Sequence, residues 1–72
     1  MKTLRDLRKQ CNMTAAQVAK VLGVTRNAIV NYESGQRRIS LEQVLSLAKL
    51  FGVTTDEIIL AQLNSISIRN TK

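Results

Sequence analysis

Residues 13–35 read MTAAQVAKVLGVTRNAIVNYESG, and the fold turns on how this stretch is punctuated. Thr14 and Gln17 have the spacing of a capping box, in which the hydroxyl takes an orphan amide and the residue three on reaches back. Val18, Ala19 and Leu22 then repeat at helical spacing, and Gly23 stops the run. Thr25 opens a second run, with Ile29 and Tyr32 apolar, that ends at Gly35. The pattern predicts helices over 14–22 and 25–34, separated only by Gly23 and Val24. A link that short cannot reverse the chain, so the two helices must cross steeply, as in a helix-turn-helix. Ala19 is small where they approach, Val18, Leu22, Val24, Ile29 and Tyr32 line the seam, and Thr25, Arg26, Asn27, Val30, Asn31 and Ser34 point away from it.

The same signals recur outward. Ser40 with Gln43 and Thr54 with Glu57 match the capping-box spacing twice more. Asn12 stands where a helix ends in the left-handed region, and Gly52 marks another end. Helices are expected over 3–11, 40–51 and 54–63, with stripes of Leu4, Leu7 and Cys11 on the first and of Leu41, Val44, Leu45, Ala48 and Phe51 on the fourth. The prediction is therefore an all-α, compact five-helix domain over 1–63, with a polar C-terminal tail over 64–72. In the C-terminal segment Ile59, Leu63 and Ile66 would form an apolar stripe if the fifth helix ran on into the tail, while Ser65 to Ile68 alternate like a short strand. Ile59, Leu63, Ile66 and Ile68 are accordingly expected as dimer contacts, with folding back onto the core or disorder as the alternatives.

The totals narrow the function. The chain has 72 residues and a net charge of +6, and a domain of this size buries only about 60% of its unfolded surface. Residues 1–38 carry Lys2, Arg5, Arg8, Lys9, Lys20, Arg26, Arg37 and Arg38 against Asp6 and Glu33, while residues 39–72 are balanced. Charge gathered in one half favours a polyanionic partner. Cys11 is the lone cysteine and histidine is absent, so no disulfide can form within these 72 residues and no metal or cofactor is expected. Cys11 is read as a small core residue. There is no nucleophile–base pair and no phosphate-binding glycine loop, so neither an enzyme nor a small-molecule substrate is expected. Asp56 and Glu57 are explained by the dipole of the helix they open. No apolar run approaches a membrane span and MKTLRDLRKQ lacks a signal-peptide core, so a cytoplasmic location without membrane contact is expected.

The spacing AxxxGVTxxxIxxYExG, kept without gaps from Ala19 to Gly35, resembles the Cro/CI-type (lambda-repressor-like) helix-turn-helix family of phage and bacterial regulators, and the likeness covers about residues 4–60. The resemblance implies that the third helix enters the major groove of duplex DNA, with Thr25, Arg26, Asn27, Val30 and Asn31 reading bases. An arginine suits guanine, an asparagine suits adenine, and Val30 or Ala28 suits a thymine methyl. It places Ala15, Gln17, Ser34, Gly35, Gln36, Arg37 and Arg38 at the DNA backbone, where contacts give affinity and register. Arg8 and Glu33 match a family pair tying the first helix to the third. Gly35 either permits close approach to the duplex or simply ends the helix. One departure is Ala15, where the family commonly has a glutamine, and with Ala16 and Val30 it leaves the presumed DNA face partly apolar. The resulting expectation is a sequence-specific DNA-binding transcriptional regulator acting as a homodimer. The alternatives are an antirepressor or modulator binding a partner repressor, and an antitoxin-like partner.

Overall fold

The computed structural model describes the backbone of residues 2–70 and the side chains of residues 2–66. Each helix starts where a hydroxyl can accept an amide left over from the first turn, worth about 1 kcal/mol per cap. Helix α1 (Leu4–Gln10) follows Thr3, α2 (Ala15–Leu22) Thr14, α3 (Arg26–Ser34) Thr25 and α4 (Leu41–Phe51) Ser40. For α5 (Thr55–Asn70) the Thr54 hydroxyl accepts the Glu57 amide at 3.1 Å. The Thr14–Gln17 box is reciprocal, at 3.1 and 2.8 Å. A second reciprocal box joins Thr3 and Asp6, closed by an aspartate where glutamate or glutamine is the usual signal. The Thr3 amide and hydroxyl hold the Asp6 carboxyl below the usual carboxylate range. The Ser40 box is one-sided, because Gln43 Oε1 accepts the Tyr32 hydroxyl instead.

The ends of α1 to α4 share one device. Asn12, Gly23, Gly35 and Gly52 adopt positive φ, and the next amide returns to a carbonyl five residues back. These bonds are Met13 to Arg8, Val24 to Ala19, Gln36 to Asn31 and Val53 to Ala48, at 3.0–3.3 Å. Schellman closures of this kind satisfy the orphan carbonyls and turn the chain sharply.

The steep α2–α3 crossing is buttressed by the other helices. Helix α5 packs against α1, α3 and α4, and α2 also meets α4. Leu4, Leu7, Val18, Ala19, Ile29, Tyr32, Val44, Leu47, Ala48, Ile58 and Ala61 fill the centre, with Ile58 and Val18 essentially inaccessible.

Three expectations are corrected. In α4 the buried row is Val44, Leu47 and Ala48, while Leu41 and Leu45 are 74% and 49% exposed. Leu41, Val44, Leu45, Leu47, Ala48, Leu50 and Phe51 make seven of eleven α4 positions apolar, so two adjoining faces carry the same pattern and packing chooses between them. Cys11 caps α1, half-buried, with its Sγ 3.8 Å from the Phe51 carbonyl. The boundary expected at residue 63 falls inside α5, and the strand alternative for residues 65–68 gives way to helix. Ser65 is buried, donating to the Ala61 carbonyl (2.9 Å) and accepting the Leu4 amide (3.4 Å). A small residue able to satisfy its hydroxyl locally lets α1 cross α5 closely.

Candidate nucleic-acid interface

The last turn of α3 is fixed by charge. Arg8 donates from Nε and Nη2 to the two Glu33 carboxylate oxygens (2.5 and 3.1 Å), and from Nη1 to the Met13 carbonyl (2.8 Å). Both side chains are only 12% exposed. The bond to Glu33 raises the Arg8 pKa against the opposing effect of burial. One guanidinium thus ties together α1, the chain entering α2 and the C-terminal turn of α3.

With Ala28, Ile29 and Tyr32 buried, α3 turns its opposite side outward. Arg26 and Asn27 are exposed in its first turn, Val30 is 38% exposed and Asn31 is half-buried. Thr25 is exposed while its hydroxyl accepts the Ala28 amide at 3.2 Å. Of the two residues expected to suit a thymine methyl, Ala28 lies in the core and Val30 is exposed. A polar groove runs beside this face, lined by Arg5, Arg26, Val30 and Ser34 above the Arg8–Glu33 pair. Arg5 was not singled out by sequence. Its signal was the three-residue offset from Arg8, which puts both on one side of α1. Ala15 lines the same groove but is buried, so that position offers backbone alone.

The other expected backbone contacts are less uniform. Gln17 is exposed, with its Oε1 committed to the Thr14 amide. Ser34 is half-buried and its hydroxyl donates to the Asn31 carbonyl at 3.1 Å. That carbonyl also accepts the amides of Gln36 and Arg37, at 3.0 and 3.3 Å. Gln36, Arg37 and Arg38 are exposed in the loop after α3, with the Arg37 guanidinium 5.7 Å from the Tyr32 ring centroid. Gly35 makes its close approach inside the protein: a Cβ there would lie 2.9 Å from Ile66 Cα.

Gln62 of α5, unnoticed in the sequence, is buried beneath the loop. Its Oε1 accepts the Ile39 amide at 2.6 Å, and its Nε2 donates to the carbonyls of Tyr32 and Arg37, at 3.1 and 3.4 Å. Of the expected dimer contacts, Ile59 and Leu63 are 46% and 47% exposed. Ile66 is half-buried, and the side chain of Ile68 lies outside the described residues. Among the described residues no helix is long and apolar enough to cross a membrane, and no group of three acidic, cysteine or histidine side chains could hold a metal.

Residues 4–58 match the family model described as helix-turn-helix. The HTH-type transcriptional regulator AnsR of Bacillus subtilis is 43% identical over 56 residues, covering 78% of this chain and 48% of AnsR. The cryptic phage CTXphi transcriptional repressor RstR of Vibrio cholerae is 38% identical over 56 residues, covering 78% of this chain and 50% of RstR. The chain therefore spans about half the length of these relatives. In three dimensions it resembles the clp gene regulator ClgR of Corynebacterium glutamicum, with a TM-score of 0.74 and 20% identity, over 92% of this chain and 70% of that one.

Proposed function

The chain belongs to the Cro/CI-type helix-turn-helix family, and from that premise we propose that it is a transcriptional regulator that binds duplex DNA sequence-specifically through α3. The observation that carries this reading is the division of α3: one side is buried, and the other presents Arg26, Asn27, Val30 and Asn31 beside the exposed Arg37 and Arg38. Arg26, Asn27 and Asn31 read base edges, Val30 meets a thymine methyl, and Thr25 serves chiefly as the cap that orients them. Arg37 and Arg38 neutralise phosphates at one end of the helix. Arg5, across the groove from Arg26, adds a third cation.

Titration of labelled duplexes at several salt concentrations tests this. Log affinity should fall linearly with log salt, by about 0.9 per phosphate neutralised. Arg37→Ala with Arg38→Ala should flatten the slope and weaken every sequence alike. Asn31→Ala or Arg26→Ala should cost about 1–3 kcal/mol on the preferred site and little on random duplex. A folded chain that binds no duplex at low salt overturns the reading.

The exposed Ile59 and Leu63 on α5 support a two-fold dimer, since burying such side chains yields about 25 cal/mol per Å². Two copies of α3 about 34 Å apart would read a near-palindromic site. Sedimentation should show a dimer, free or on DNA, that Leu63→Glu dissociates. A full-length chain that stays monomeric at micromolar concentration in both states rejects it.

A further inference from the structure

We propose that Gln62 is a positioning residue for DNA binding, a buried clamp by which α5 sets the height and direction of the arginine loop that follows α3. The inference rests on the DNA-binding reading above and adds a residue that touches no DNA.

Three observations converge on it. First, Gln62 lies on the buried side of α5 beside Ala61, where an apolar side chain would pack at no desolvation cost. A buried amide is tolerable only when its polar atoms are satisfied. Second, those atoms are spent on main chain from two successive pieces of structure. They engage the Tyr32 carbonyl in the last turn of α3 and the Arg37 carbonyl and Ile39 amide in the loop. The two carbonyls need donors and the amide needs an acceptor, so a carboxamide fits all three while a carboxylate or an alkyl group does not. Third, the clamped segment carries Arg37 and Arg38, whose side chains are exposed. Its other end is fixed by the Gln36 and Arg37 amides on the Asn31 carbonyl and by Gly35 against Ile66. Between these two anchorages the backbone bearing both guanidiniums is held relative to the base-reading side of α3. Phosphate contacts set register only if their donors are fixed relative to the base readers.

The test is a double-mutant cycle on DNA affinity at several salt concentrations, using Gln62→Met, Arg37→Ala with Arg38→Ala, and their combination. The Met variant keeps length and burial but neither donor. It should bind all duplexes roughly tenfold more weakly, with a salt slope shallower by about one to two. On the background lacking Arg37 and Arg38 the same change should cost nothing further, because its effect passes through those arginines. A role confined to stability would leave the slope unmoved and the losses additive, and that result overturns the proposal. Amide exchange keeps it falsifiable if the Met variant does not fold: in the unaltered chain the Ile39 amide should be protected, and exchange at the rate of a free loop amide overturns the clamp. If the unaltered chain binds no duplex, the functional reading and this inference fall together. If it binds with the expected salt dependence and Gln62→Met does so equally well, this inference alone falls.

Discussion

Arg8→Ala is expected to cost the domain about 3–5 kcal/mol in urea unfolding at neutral pH. The substitution strips Glu33, whose side chain is 12% exposed in the pair, of its bidentate partner, and it removes the donor that reaches the Met13 carbonyl at 2.8 Å. Breaking a desolvated pair from one side costs more than the pair itself contributes, because the survivor keeps its charge and loses its compensation. Against a total of roughly 4–11 kcal/mol for a chain this long, such a loss takes from about a quarter of the stability to all of it. Arg8→Ala combined with Glu33→Leu should recover part of it, since no buried charge remains. Arg8→Lys should fall between, because an ammonium cannot fork onto two oxygens and reach Met13 as well. A loss below about 1 kcal/mol, the range of solvent-exposed pairs, would mean that water compensates Glu33 and that the last turn of α3 is not held by charge.

The contrast between what was legible and what was not has a physical basis. Thr14, Thr25, Ser40, Gly23 and Gly35 act on their own backbone neighbours, so their meaning survives in a linear string, and the helix starts and stops follow from them. Leu45 and Leu47 show where local reading fails. Both sit in one amphipathic helix, and the choice of the buried one belongs to the angle at which α4 meets α2 and α5. Ser65 and Gln62 fail for a related reason. Nothing local marks a polar side chain as buried, yet each of these is, with its polar atoms satisfied by main chain, and the partners that place it there (the Leu4 amide for Ser65, the Tyr32 carbonyl and Ile39 amide for Gln62) are remote in sequence. The candidate DNA face divides the same way. Arg26, Asn27 and Asn31 belong to a single helix whose outward side follows from its period, whereas Arg5 reaches the groove from α1 and only the packing brings it there.

Gly35→Ala should be the other costly change, and its comparison with Gly23→Ala separates two reasons for a glycine. Both positions end a helix in the left-handed region, at φ of +80° and +71°. An alanine in that conformation pays about 1–2 kcal/mol at either. At Gly23 nothing lies within 4 Å of the added carbon, so that is the whole expected loss. At Gly35 the added carbon would sit 2.9 Å from Ile66 Cα, 3.1 Å from the Ser65 carbonyl oxygen and 3.2 Å from the Ile66 amide nitrogen. Those atoms are α5 backbone and cannot swing aside as a side chain would, so α3 and α5 must separate, adding about 1–3 kcal/mol of overpacking. Urea unfolding of the two variants should therefore differ by that second amount. If closeness to the duplex were instead what the glycine serves, the two variants would be equally stable and Gly35→Ala would lose only DNA affinity. Equal stabilities would thus reject the α3–α5 contact as the reason. The larger loss at Gly35 would make this residue, like Gln62, a point where α5 meets and fixes the end of α3.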